Sequence, residues 1–167
     1  LLSPVASPGV SIEVAAGAAI AFRLTGEPRV AVVVDDLASA DSGDWHEGLN
    51  FAAVRRAPLV VVLRTEAVEP RWRTSVGRRA EAYGVQVDRL PIDPPDSWAR
   101  RLALTIEAVR EDPVTTLIEV PPSGEDAIER FVARMTAPGP VGRPEIEPED
   151  LARWADEAEA EAAAAWE

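Results

Sequence analysis

The sequence predicts an α/β fold, with a parallel sheet flanked by helices on both faces. Two segments, 30–34 and 59–63, are continuous valine-rich apolar runs, a pattern typical of parallel strands that are covered on both faces. Segments of helical composition lie before, between and after these runs. Alternation of strands with helices indicates repeated βαβ units with right-handed crossovers. At 167 residues, the chain suits one compact domain with an ordinary core.

The first half of the sequence supplies two strands and two helices. A helix rich in small residues is predicted at 11–24, with Gly26 placed to end it. The strand at 30–34 follows, and a crossover helix at 43–55 joins it to the strand at 59–63.

The second half continues the alternation. Its predicted elements are a helix at 73–83, a strand at 85–87, a helix at 96–110, a strand at 115–120, and helices at 124–135 and 147–166. Pro148 and acidic residues in the first turn favour the start of the last helix. We therefore expect a domain at 1–136, a Pro/Gly linker at 137–146 and a packing or interface helix within 147–167.

Composition restricts the classes of function. The absence of cysteine excludes disulfides, iron–sulfur clusters and thiol nucleophiles. A net charge of -12 disfavours nucleic acid and anionic membranes as partners, and no apolar run approaches the roughly 20 residues that a membrane span needs. With no signal peptide recognised, we expect a cytoplasmic protein. Every cationic side chain is arginine, a bias that fits either a GC-rich genome or an acidic surface adapted to salt.

Acidic residues gather where the first strand should end. Asp35, Asp36, Asp41 and Asp44 are placed at the carboxyl ends of the strands, the position at which open α/β sheets bind ligands. They form either a weak cation site or a solvated loop with helix-capping aspartates, and we favour the second interpretation.

The only histidine, His46, is followed by Glu47. A zinc protease would need a second imidazole one helical turn later, and Asn50 is found there instead. We expect these side chains to hydrogen-bond the loops around the crossover helix rather than to act in catalysis.

Four arginines, Arg71, Arg73, Arg78 and Arg79, could bind an anion. In a chain this acidic we instead expect neighbouring carboxylates to neutralise them.

The segment 44–54, Asp-Trp-His-Glu-Gly-Leu-Asn-Phe-Ala-Ala-Val, closely resembles a stretch of one enzyme family. That family is the alpha subunit of thiamine-diphosphate-dependent 2-oxoacid dehydrogenases, the group that includes pyruvate, branched-chain and acetoin dehydrogenases. Segments 9–19, 29–34 and 55–58 also resemble it, as does Thr-Leu-Ile-Glu at 116–119. The resemblance runs from about Pro8 to Val120 and resumes in the closing helix, so the chain looks like an alpha subunit shortened at the front and between Val120 and Glu147.

The resemblance implies a thiamine diphosphate site at the strand ends, with Mg²⁺ holding the diphosphate through oxygen ligands. The family provides Gly-Asp-Gly after the first strand and Asn-Asn after the second. This chain has Asp36-Leu37-Ala38 and Thr65-Glu66 at those positions. Leucine cannot coordinate a cation, and Asp36 and Ala38 add side chains where glycines should let the backbone approach the diphosphate.

The residues at family positions for cofactor binding are Gly9, Ile12, Asp36, Gly43, Asp44 and Glu66. Asp36 and Glu66 would be the metal ligands if a site survives. No residue is assigned a catalytic role, since the family's histidine-bearing loop is not found after Val120.

Three hypotheses follow from the resemblance. In the first, the chain is a cofactor-deficient subunit with a structural or regulatory role in an alpha/beta assembly. We expect a homo- or hetero-oligomer, with a beta-type subunit of the same family as partner and the helices at 11–24 and 43–54 as the contact surface. The alternative is an active component that decarboxylates a 2-oxo acid oxidatively and passes the acyl group to lipoamide. A third is an excised domain that binds another ligand at the same strand ends.

Overall fold

The computed structural model describes residues 9–65, 74–90 and 95–121, together with seven helical positions between 149 and 160. The chain divides into two compact units, Leu1–Pro122 and Ser123–Glu167. The predicted helix at 124–135 and the linker at 137–146 lie outside the described residues, as do Glu66, Arg71 and Arg73. The domain boundary at residue 136 therefore stays a prediction.

The first unit is built on a four-stranded parallel sheet. Its strands are β1 (Ala31–Asp36), β2 (Leu59–Arg64), β3 (Gln86–Arg89) and β4 (Thr115–Val120). Their order in the sheet is β1-β2-β4-β3, and Leu59 of β2 pairs with both Ala31 and Thr115. The parallel α/β sheet predicted from the valine-rich runs is confirmed.

Four helices connect or precede these strands. They are α1 (Val10–Thr25), α2 (Gly43–Val54), α3 (Val76–Ala82) and α4 (Pro95–Glu111). A 3₁₀ turn, Ser39–Asp41, lies between β1 and α2. Among the described residues, no helix has the length and apolar character required to cross a membrane.

The helices cover both faces of the sheet. One buried cluster joins α1, α2 and α3 to one face, with Trp45, Leu49 and Leu117 fully buried in it. A second, smaller cluster on the other face packs Ile106 and Val109 of α4 against the strands.

The first valine-rich run is less buried than predicted. Val32 is 44% exposed and Val34 is 73% exposed, so β1 is not covered on both faces within the described structure. The reason is position: among the described strands, β1 lies at the edge of the sheet and pairs only with β2, while α4 packs over the strands beyond it. A run of valines indicates a strand, but it does not indicate where in the sheet that strand lies.

Candidate functional site

The carboxyl end of β1 is joined to the start of α1 by Asp35. Its Oδ2 accepts a hydrogen bond from the Ser11 hydroxyl at 3.1 Å, and its Oδ1 accepts one from the backbone N–H of Asp36 at 3.0 Å. Both carboxylate oxygens of Asp35 therefore have local partners.

Asp36 organises the turn that follows β1. Its Oδ1 accepts hydrogen bonds from the backbone N–H of Ser39 at 3.1 Å and from the Ser39 hydroxyl at 3.4 Å. These contacts are those of an aspartate that caps a turn. For Asp36 this is a structural role, although it caps a turn rather than a helix.

Leu37 and Ala38 are the other two residues at the position of the family's Gly-Asp-Gly motif. Leu37 is partly buried and packs against the main apolar cluster. Ala38 is the N-cap of the 3₁₀ turn and has right-handed helical geometry (φ -66°, ψ -35°). Neither residue has a side-chain oxygen to offer a cation.

Gly9 brings the start of α1 against the start of α2. Its φ of +85° lies in the left-handed region, and a Cβ placed there would lie 2.0 Å from the Ser42 Oγ and 2.8 Å from the Trp45 backbone nitrogen. Only glycine fits this contact without movement of α2. The same Ser42 hydroxyl caps α2 by accepting from the Trp45 N–H at 3.2 Å.

The other predicted cofactor positions lie around this junction. Ile12 is fully buried in the core, so its observed role is packing. Gly43 opens α2 and Asp44, in its first turn, is exposed. The structure therefore brings Gly9, Gly43 and Asp44 together at one helix start, while Glu66 cannot be placed.

His46 lies in a polar network between α2 and α3. Its Nε2 is 3.3 Å from an Arg79 guanidinium nitrogen, and its Nδ1 is 2.9 Å from the Tyr83 hydroxyl oxygen. Arginine can only donate, so Nε2 is the acceptor and we infer that Nδ1 carries the hydrogen, which it donates to Tyr83. Arg79 also donates to the carbonyl oxygen of Ala40 at 3.3 Å.

This environment makes the charged form of His46 unfavourable. Burial, and secondarily the positive charge of Arg79, hold the pKa of His46 below its ordinary value of 6.5, while Asp41 acts in the opposite direction. His46 was expected to hydrogen-bond the loops around the crossover helix, but its partners Arg79 and Tyr83 lie in α3 and at its end. Sequence spacing gave no signal for them, because they lie 37 and 33 residues away.

Glu119, the last residue of the Thr-Leu-Ile-Glu segment, attaches α3 to the sheet. Its Oε1 accepts from the Gly77 backbone N–H at 3.0 Å, and its Oε2 lies 2.6 Å from the Arg89 Nε. Its side chain is only 12% exposed, so the carboxylate has a structural task at the carboxyl end of β4.

A metal centre is not formed by the described part of the chain. In 9–65, 74–90 and 95–121, no group of three or more histidine, aspartate or glutamate side chains is arranged to hold an ion. Asp36 therefore has no ready set of co-ligands within these ranges.

Comparison with known proteins identifies the relatives of this fold. Residues 4–85 match the family described as "Dehydrogenase E1 component". The chain is related to this family. The match includes α1, β1, α2 and β2, and so the junction of Gly9 with α2.

Individual relatives agree with this family. The alpha subunit of the pyruvate dehydrogenase E1 component from Bacillus cereus is 33% identical over 97 residues, which cover 52% of this chain and 26% of that protein. The corresponding Staphylococcus aureus subunit is 36% identical over 63 residues, 38% of this chain and 17% of that protein. The matched part thus spans about a quarter or less of these relatives.

A solved structure shares the fold. A protein from Mycobacterium smegmatis, described as a thiamin diphosphate-dependent enzyme, superposes with a TM-score of 0.55 and 19% identity. The superposition covers 70% of this chain and 23% of that one. The chain therefore shares its fold with part of that structure.

Proposed function

We propose that this chain is an E1 alpha-like subunit that does not hold thiamine diphosphate by itself and that has a structural or regulatory role in an alpha/beta assembly. The proposal rests on the contacts that residues 36–38 make. Leu37 packs against the apolar cluster where the family's metal-binding aspartate is expected, and Asp36 uses its Oδ1 to cap the next turn.

The residues present fit the diphosphate and its Mg²⁺ poorly. The metal needs several oxygen ligands in near-octahedral geometry, and the apolar Leu37 provides none. The Asp36 carboxylate adds negative charge beside the position where a negatively charged diphosphate would bind, which opposes binding. We therefore derive no reaction step through this cofactor.

The retained features favour a role in assembly. Helices α1 and α2 keep their close junction at Gly9, and both carry large apolar side chains on their exposed sides. A subunit that had lost its cofactor but kept its assembly role would retain such surfaces. We propose a beta-type subunit as its partner within the complex.

Calorimetric titration with thiamine diphosphate and Mg²⁺ tests the proposal. We expect no saturable binding to the unaltered chain. The matched variant restores the family motif with Asp36→Gly, Leu37→Asp, Ala38→Gly, Thr65→Asn and Glu66→Asn, and circular dichroism checks that it folds. Saturable, Mg²⁺-dependent binding by the unaltered chain would contradict the proposal and favour the active dehydrogenase component.

Native mass spectrometry of the complex from the cells that make the chain tests the role in assembly. We expect an alpha/beta complex in which this subunit contributes no thiamine diphosphate. A heterotetramer with the cofactor bound at this subunit would identify a working component, and a chain without a beta-type partner would contradict the proposed role.

A further inference from the structure

A groove lies between α4 and the strands β3 and β4. Its volume is about 540 Å³, which is within the range of roughly 300–1,000 Å³ that small-molecule sites have. It lies on the face of the sheet that α4 covers. Among the described strands, β3 and β1 occupy opposite edges of the sheet, so the groove is separate from the position of Asp36.

Helix α4 forms one wall of the groove. Arg101, Thr105 and Ala108 recur at intervals of four and three residues, and Asp112 follows four residues later, so all four lie along one side of the helix. Each of them lines the groove, as does Leu104, which is 58% exposed. This wall therefore combines an apolar surface with a hydroxyl group.

Strands β3 and β4 form the other wall. Gln86 and Asp88 are two residues apart on β3, so they point to the same side of the sheet, and Gln86 lies beside Thr116 of β4. All three line the groove.

Thr116 is the unusual member of this wall. It is only 4% exposed, and its Oγ1 is buried without a hydrogen-bond partner among the residues that the structure describes. Buried polar side chains almost always have such a partner. A hydroxyl of this kind on the wall of a groove indicates that a ligand there can provide the missing hydrogen bond.

The carboxylates of the groove are both neutralised. Asp88 accepts hydrogen bonds from the Arg101 Nε at 2.7 Å and Nη2 at 3.1 Å. Asp112 accepts one from the Arg56 Nη2 at 2.8 Å. Because each negative charge has its own guanidinium, the groove favours neither an anion nor a cation.

We propose that this groove binds a small neutral molecule in which an aliphatic body carries a carboxamide. The Gln86 amide and the hydroxyls of Thr105 and Thr116 can each donate and accept hydrogen bonds. A primary carboxamide has two N–H donors and a carbonyl acceptor, so it complements these groups more fully than a single hydroxyl does. The aliphatic body packs on Leu104 and Ala108.

This site goes beyond the proposed function. The E1 component match ends at residue 85, whereas the residues that line the groove begin at Gln86. None of them is at a family position for cofactor binding. The groove can therefore bind its ligand whether or not the chain holds thiamine diphosphate, and the two proposals can fail separately.

A nuclear magnetic resonance titration of the full 167-residue chain with cyclohexanecarboxamide tests the site. We expect saturable shifts of backbone amide signals within 86–88, 101–108 and 114–116, with a dissociation constant on the order of millimolar. Cyclohexanecarboxylate and cyclohexylmethylammonium have the same body but a charged group, and they should bind at least about threefold more weakly because that charge loses hydration without gaining a free counter-charge.

Two neighbouring threonines provide a matched pair of variants. Thr116→Val should raise the dissociation constant about threefold to tenfold, the effect of one lost hydrogen bond. It should not lower the free energy of unfolding, because the hydroxyl that it removes has no partner. Thr115 is on the opposite side of β4, and its hydroxyl donates to the Ala57 carbonyl oxygen at 3.2 Å. Thr115→Val should therefore lower the free energy of unfolding in urea while changing the dissociation constant less than about twofold.

A second pair of variants tests the helix wall. Ala108→Phe fills the groove and should abolish saturable binding, whereas Ala103→Phe should preserve it, because Ala103 is exposed on another side of α4. Circular dichroism checks that each variant folds, and either pair is sufficient if a variant of the other does not fold.

The proposal is overturned if the carboxamide does not saturate the chain, or if its shifts lie outside the groove. Tighter binding of either charged probe would also overturn it, as would an unchanged dissociation constant in a folded Thr116→Val or Ala108→Phe variant.

Discussion

The three residues that follow Asp35 at the end of β1 have structural positions in the loop. Asp36 caps a turn, Leu37 packs against the core, and Ala38 begins a 3₁₀ turn. The hydrogen bonds of Asp36 are local, whereas the packing of Leu37 is a tertiary contact. These contacts are in line with the proposed loss of the cofactor.

His46 gives a prediction at the same scale. Because the pKa of its folded form lies below 6.5, the folded state binds this proton less tightly than the unfolded state does. Its contribution to stability is therefore fully present above pH 6.5 and is lost as the pH falls through 6.5 toward the lower folded-state pKa. We expect the free energy of unfolding to fall over that interval, and to fall less steeply in His46→Gln.

The measurement is direct because His46 is the only histidine of the chain. A nuclear magnetic resonance titration of its single imidazole signal gives the pKa of the folded state, and urea unfolding at several pH values gives the stability. A folded-state pKa at or above 6.5 would contradict the network described for Tyr83 and Arg79.

At the scale of elements, the first two helices depend on how closely they approach. Gly9 touches the start of α2, and Gly48 touches Ile12 and Glu13 of α1. The Ser42 hydroxyl caps α2 at the same point. The E1 component match covers both helices, so this close approach lies within the part of the chain that carries the resemblance.

The glycines at the two ends of α1 allow the cost of backbone strain to be distinguished from the cost of steric crowding. Gly9 and Gly26 both have positive φ, +85° and +70°, but only at Gly9 would a Cβ meet neighbouring atoms. Gly26→Ala should cost about 1–2 kcal/mol from left-handed backbone strain. Gly9→Ala should cost more, because its Cβ would lie 2.8 Å from the Trp45 backbone nitrogen, which only a shift of α2 can relieve, and 2.0 Å from the Ser42 Oγ that caps α2.

Urea unfolding of both variants provides the comparison. A loss of stability in Gly9→Ala equal to or smaller than that in Gly26→Ala would show that the junction of α1 with α2 tolerates a methyl group. In that case the close approach would not be the reason for glycine at position 9.

The molecule as a whole has a large excess of acidic side chains. Seventeen cationic and 29 acidic side chains give a net charge of -12, and folding brings these like charges closer together. The described ion pairs, such as those of Arg56 with Asp112 and Arg101 with Asp88, lie largely at the surface, where each contributes little.

We therefore expect salt to stabilise the folded chain. Raising sodium chloride shortens the screening length from about 10 Å at 0.1 M to about 3 Å at 1 M, so the thermal midpoint at pH 7 should rise over this range. Repeating the series near the isoelectric point of about 4.6 is the control, because the net charge is small there and the salt effect should shrink. A midpoint that falls with salt at pH 7 would indicate that ion pairs outweigh the general repulsion.

The elements of this protein follow from short-range patterns in its sequence. The valine-rich runs became β1 and β2, and the predicted helices at 11–24 and 43–55 agree with α1 and α2 to within about a residue. These features are determined locally, because alternation of apolar runs with helical segments depends on neighbouring residues. The family resemblance could be recognised from the sequence for the same reason, because it rests on contiguous segments.

The tertiary structure decided which residues meet. It made β1 an edge strand with Val34 exposed, although its composition is that of a central strand. It brought His46 to Tyr83 and Glu119 to Gly77 across 37 and 42 residues, and it packed Leu37 on the core. No local pattern specifies such contacts, because they depend on strand order and helix placement, which only the folded chain brings into being.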